Sequence, residues 1–161
     1  MGELTYIFVE GDAWYSKLIK EVEHGQYTHV AGLILGSTLE AQGVCDEQDR
    51  YPGVWLHSPT KYVDGVNCKF VTVKINDMNA AEEKARELLG CLYSFHGCIE
   101  TGIESLFNLP LPSDGEKTVM CSEAWTRITQ AGGPIGFTLP EFKADFVAPQ
   151  RFYDSVIVGA I

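Results

Sequence analysis

Cys121 stands where a helix should begin, in Val119-Met120-Cys121-Ser122-Glu123-Ala124-Trp125. A thiol at a helix N-terminus meets the positive end of the helix dipole, which favours thiolate over thiol. The first-turn N–H groups there lack intrahelical acceptors, so they are free to hold an oxyanion formed on an attacked carbonyl. Glu123, three positions from the helix start, suits a capping role rather than a nucleophilic one. On position alone a buried, inert cysteine is the commoner outcome.

His29 shifts that balance. It heads a β-rich run, Tyr27-Thr28-His29-Val30-Ala31-Gly32-Leu33-Ile34, and Glu40 follows eleven residues later on what reads as the returning strand. A turn centred on residues 35–36 or 36–37 puts Glu40 on the same sheet face as His29, offset by one or two pairs. A cysteine hydrolase needs this set: an imidazole to take the thiol proton and a polar group to fix the imidazole. Gln42 is the fallback for that third role, since one of the two registers sets it opposite His29. His57 and His96 read as structural histidines.

The elements that must position these residues are legible from periodicity. Strands are expected over residues 5–9, 28–35, 38–44, 54–57 and 66–75. Helices are expected over residues 13–23, 80–89, 98–107 and 121–131, with Asp77 and Asn79 as capping residues and Gly25, Gly90 and Gly132-Gly133 as stops. Residues 109–116 form a loop, and the β-branched run at 155–158 suggests a final strand. The class is α+β, with an antiparallel sheet packed against helices and the nucleophile at a helix N-terminus, in a single domain spanning 1–161.

Four stretches, taken in order, resemble the circularly permuted NlpC-like papain-fold hydrolases of the YiiX/YebB-like group. They are Thr28-His29-Val30-Ala31-Gly32-Leu33-Ile34, then Leu39-Glu40-Ala41, then Gly90-Cys91-Leu92-Tyr93-Ser94, and finally Met120-Cys121-Ser122-Glu123. In that group the histidine strand precedes the Cys-Ser-Glu helix, the reverse of ordinary papain-like enzymes. Residues 14–19, with Ser16, resemble the group's helix ahead of the histidine strand, so the likeness covers nearly the whole chain. The resemblance implies a papain-like fold with Cys121 as nucleophile, His29 as base, Glu40 as the third polar residue and Tyr93 as a hydroxyl near the oxyanion. It implies amide substrates, peptide or peptidoglycan-type, and no metal or organic cofactor. Two positions depart from the group's pattern. Gly32 comes one residue later than in His-x-Gly, which suggests a bulge, and Ser94 replaces the Asp of a Tyr-Asp pair.

Composition narrows the alternatives. Hydrophobic residues make up 45% and charged residues 21% of the 161, ordinary for a globular chain. Twelve basic against twenty-two acidic side chains give a net charge of −10, which disfavours nucleic acid and anionic membranes as partners. No apolar run approaches a membrane span, no signal peptide is visible, and Tyr6 spoils a myristoylation pattern, so a cytoplasmic protein is expected. Five cysteines without a CxxC pair argue against a disulfide framework or structural zinc. The leading function is therefore an amide-cleaving cysteine hydrolase acting on a small-molecule or peptide substrate. The competing readings are a lecithin:retinol acyltransferase-like transferase or esterase, and a non-enzymatic binding or assembly protein that keeps the fold.

Overall fold

The computed structural model describes residues 1–11, 25–45, 48, 50–63, 67–94, 118–139 and 147–161. The expected helices at 13–23 and 98–107, the loop at 109–116, the 14–19 element, His96 and Cys98 lie outside the described residues.

Among the described residues seven strands form one sheet: β1 (Gly2–Val9), β2 (His29–Ile34), β3 (Ser37–Gln42), β4 (Gly53–His57), β5 (Cys68–Ile75), β6 (Leu92–Tyr93) and β7 (Thr118–Val119), in the spatial order β5-β1-β2-β3-β4-β6-β7. Neighbours pair antiparallel except β6 and β7, which run parallel, so the sheet is mixed rather than wholly antiparallel as expected. The described helices are α1 (Met78–Leu88), α2 (Cys121–Gly132) and α3 (Pro149–Val156). The fold is thus α+β. No described helix is long and apolar enough to cross a membrane.

Strand β1 lies inside the sheet and is buried on both faces, which its run of Tyr6, Ile7, Phe8 and Val9 anticipates. Tyr6 and Phe8 face the helices. The Tyr6 ring meets Trp125 of α2 edge-on at 5.5 Å and Phe152 of α3 at 5.1 Å. Ile7 and Val9 point the other way, into a smaller cluster with Ala31 and Tyr62.

The β2–β3 hairpin turns on Leu35 and Gly36, both at positive φ (55° and 70°), with Ile34 opposite Ser37. Two left-handed residues in a two-residue loop give the turn whose twist matches that of the strands. That choice fixes the register at Ala31 opposite Glu40.

Helix α1 starts at Asp77, whose carboxylate accepts from the Ala80 N–H at 3.1 Å, so the expected capping cluster acts as such. The tail departs from expectation. Residues 149–156 are helical, with Pro149 in the first turn and Phe152 and Val156 buried on one face. Proline's fixed φ suits a helix start, and the four-residue spacing of those two side chains outweighs the β-branched run that suggested a strand. A short 3-10 turn (Ile157–Gly159) follows, and Ala160 then bridges Val73 on the outer edge of β5.

Candidate active site

Helix α2 is buried around almost its whole circumference: Cys121, Ser122, Glu123, Ala124, Trp125, Thr126, Ile128, Thr129 and Gly132 are all buried. It seats directly on β2. An added Cβ at Gly32 would lie 2.6 Å from the Trp125 ring and 2.7 Å from the Thr5 carbonyl oxygen, so only glycine admits this approach. The late glycine therefore marks a contact with the helix and not a bulge. The irregularity falls earlier, where the Thr28 N–H reaches the carbonyl of Val9 although Val9 pairs with His29.

Several polar groups inside α2 are matched locally, although Ser122 Oγ and Trp125 Nε1 are buried without a hydrogen-bond partner among the described residues. Glu123 accepts from the Met120 N–H at 3.1 Å and pairs with Arg127, which is the capping role expected of it. Thr126 donates to Ser122 O at 2.8 Å, and Thr129 donates to Trp125 O at 2.6 Å while meeting the Tyr6 hydroxyl at 2.7 Å.

The helix start brings Cys121 to the head of β2. The ionisation of its thiol is governed by the His29 imidazole and by the backbone N–H groups of Val30 and Ser122. Pairing of β2 with β3 extends only to Ala31–Glu40, one residue short of Val30, so this N–H is available to the sulfur. Burial pushes the thiol's pKa up, but the imidazolium charge, the imidazole hydrogen bond and the two backbone donors outweigh it and hold the thiol below its usual range. Burial likewise pulls His29 down, yet the Cys121 thiolate and the Glu40 carboxylate push it up to about 10. The two groups are thus mutually stabilising as thiolate and imidazolium at neutral pH.

Glu40 is 1% exposed and sits at the centre of a polar cluster. His29 Nε2 lies 3.0 Å from its Oε2, which leaves Nδ1 for the thiol. The Tyr62 hydroxyl donates to the same oxygen at 2.6 Å, Lys61 Nζ donates to Oε1, and His57 Nε2 lies 3.2 Å from Oε1. Burial raises the Glu40 pKa, but hydrogen bonds and charge from His29, with further bonds from Lys61 and Tyr62, hold it below the ordinary carboxylate range. Burial and the Glu40 charge push the Tyr62 phenol well above its own.

Three of the four residues singled out in the sequence, Cys121, His29 and Glu40, therefore meet in one place. Glu40 rather than Gln42 holds the imidazole, because the register makes Glu40 a diagonal neighbour of His29 on one face. Tyr93 stands on β6 opposite Val119, two residues ahead of Cys121. His57, read as structural, instead lies against Glu40. Lys61 and Tyr62 went unrecognised in the sequence; the turn at Ser58–Thr60 that aims them at Glu40 leaves only a short-range polar signature. Of the other described cysteines, Cys45 is exposed and Cys68 and Cys91 are half-buried, with none in a disulfide. Burial raises the Cys68 thiol. No group of three or more His, Cys, Asp or Glu side chains converges as metal ligands among the described residues.

The chemistry open to this arrangement is that of a charge-paired, buried thiolate at a helix start, beside a proton carrier oriented by a carboxylate. The sequence matches no protein-family model and no curated protein.

Proposed function

We propose that the protein is a cysteine hydrolase that cleaves an amide bond through an acyl-enzyme intermediate. The observation that carries this reading is the meeting of Cys121, His29 and Glu40, with His29 bonded to Glu40 and the thiol and imidazole shifting each other's pKa, the thiol down and the imidazole up. Cys121 attacks the substrate carbonyl as thiolate, forming the C–S bond. The Cys121 N–H, in the first turn of α2 and without an acceptor inside the helix, is the donor assigned to the developing oxyanion, and the resemblance to the permuted NlpC-like group adds the Tyr93 hydroxyl as a second. As the C–N bond breaks, His29 gives its proton to the leaving nitrogen. His29 then takes a proton from water, whose attack on the thioester releases the acid and restores the thiolate. Glu40 keeps the imidazole in one orientation throughout. The order of motifs resembling permuted NlpC-like enzymes favours this chemistry and a peptide or peptidoglycan-type substrate.

Intact-mass spectrometry after incubation with amide and ester libraries tests the reading. A covalent adduct on Cys121 in the native protein, absent in Cys121→Ala, is expected. Reactivity gives a substrate-free check. Near pH ~6 an ordinary thiol holds little thiolate, so iodoacetamide should label Cys121 ahead of the other four cysteines. His29→Ala should slow Cys121 alone, by about 10–100-fold. Uniform slow labelling would overturn the hydrolase and leave the binding-protein reading.

A further inference from the structure

A carboxylate whose single task is to orient one imidazole needs one acceptor site. Glu40 uses both oxygens: three neighbours bond them, and His57 Nε2 lies close by. Oε2 is shared by His29 at 3.0 Å and the Tyr62 hydroxyl at 2.6 Å, while Oε1 takes the Lys61 ammonium and lies 3.2 Å from His57 Nε2. Lys61 and Tyr62 arrive on a strap between β4 and β5. That strap is fixed by the Ser58–Thr60 hydroxyl contact, by Lys61 N–H to Ser58 O and Val63 N–H to Thr60 O, and by the Cys68 thiol donating to Tyr62 O at 3.4 Å. Residues 58–63 of the strap are therefore held in place, and Tyr62 packs on Ile7, Val9 and Ala31.

Charge arithmetic gives the strap a purpose. One buried carboxylate facing one imidazolium would hold the proton of His29 tightly, and that proton must leave with the amine. A second cation on the far oxygen weakens this hold and at the same time favours the Cys121 thiolate. Among the described residues, the titratable groups facing Glu40 are His29 from β2, His57 from β4, and Lys61 and Tyr62 from the strap. Cys121 faces His29 from α2, and Cys68 of β5 faces Tyr62.

We propose that Lys61, acting through Glu40, is a positioning residue of this site: its ammonium occupies one carboxylate oxygen so that Glu40 orients the His29 imidazolium without locking its proton in place. This rests on the hydrolase reading above and adds a specific role for a residue outside the Cys–His–Glu chain.

The experiment follows the alkylation rate of Cys121 with pH in the intact 161-residue chain, without substrate. The native profile should show two inflections, the lower from thiol ionisation and the upper from loss of the His29 proton. Lys61→Met should move both upward, the upper by about one pH unit, because removing a nearby cation favours imidazolium and disfavours thiolate. Lys61→Gln, which keeps a hydrogen-bond donor and loses only the charge, carries the same expectation if the Met variant does not fold. Lys61→Arg should restore both native inflections. If the strap merely braced Glu40, its loss would free the carboxylate and lower the upper inflection. That result, or unmoved inflections in a folded charge-free variant, overturns the proposal. A native profile lacking the two inflections would instead sink the hydrolase reading itself.

Discussion

On the helix-covered face of the sheet, Tyr6, Phe8, Val30, Leu39 and Val54 meet Trp125, Ile128 and Phe152, a core held by apolar area and edge-on ring contacts. On the opposite face Ile7, Val9, Ala31 and Tyr62 form a small cluster, and beside it the buried contacts are charges: Glu40 with His29, His57 and Lys61. The same strands carry both, since β-strand side chains alternate. The first face derives its stability from burial, which is non-directional and tolerates volume-conserving change. The second gains little net stability from its ion pairs, because desolvation offsets attraction, but it admits few arrangements. One face supplies the fold and the other the chemistry, and α2 is their shared member.

The largest expected effect lies on the apolar face. Trp125→Ala should destabilise the protein by about 3–5 kcal/mol in urea unfolding, an effect on stability far larger than its effect on Cys121 labelling in whatever fraction stays folded. Complete loss of Cys121 reactivity at full stability would break the division between faces.

A smaller effect is expected on the charged face. Glu40→Gln should cost about 1–3 kcal/mol at pH ~7 and slow Cys121 labelling, because a neutral amide leaves Lys61 and His29 poorly matched. The sign with pH follows from the lowered Glu40 pKa. Its contribution is full above the ordinary carboxylate range and is lost as pH falls through the lower folded value. The stability gap between native protein and variant should therefore stay constant from mild acid to neutrality and close only in strong acid. A gap that opened above neutrality would point to a different partner. His29 has the opposite sign. Its value is raised to about 10, so its contribution fades as pH climbs through that value.

The smallest effect sharpens the comparison at the turn that sets it. Leu35 holds φ 55°, a left-handed conformation that disfavours a branched side chain. Leu35→Gly should change stability by less than about 1 kcal/mol, as relief of strain and added unfolded-state freedom oppose each other, and leave labelling unchanged. A loss of Cys121 reactivity would mean that the hairpin register had slipped.

Most of the site's backbone scaffold is legible in the sequence because it rests on local signals. Residues 35–37 mark the hairpin, the spacing of His29 and Glu40 follows from it, and Cys121 precedes a helical period ended by Gly132 and Gly133. The tail was misread because Val156, Ile157 and Val158 favour strands intrinsically, whereas burial of Phe152 and Val156 against the core decides for a helix. The two-residue strands β6 and β7 are too short to leave a period, and their parallel pairing with one another depends on chain placement rather than pattern. His57, Lys61 and Tyr62 escape for the same reason. Their meeting with Glu40 depends on the β3–β4 register, Glu40 opposite Trp55, and on a strap whose sequence shows only a polar turn.

Gly32 sets how deeply the nucleophile's helix sinks onto the sheet. The missing methyl acts as a spacer of zero thickness between Trp125 and the strand that carries His29. An alanine there would place its Cβ 2.6 Å from the Trp125 ring and 2.7 Å from the Thr5 carbonyl oxygen, so the helix or strand β1 would have to give way, without altering any reacting group. The reach of Cys121 toward His29 is thereby a property of a residue that touches neither, and a designer wishing to lengthen or shorten that reach would edit the floor beneath the helix and leave the chemistry as it stands.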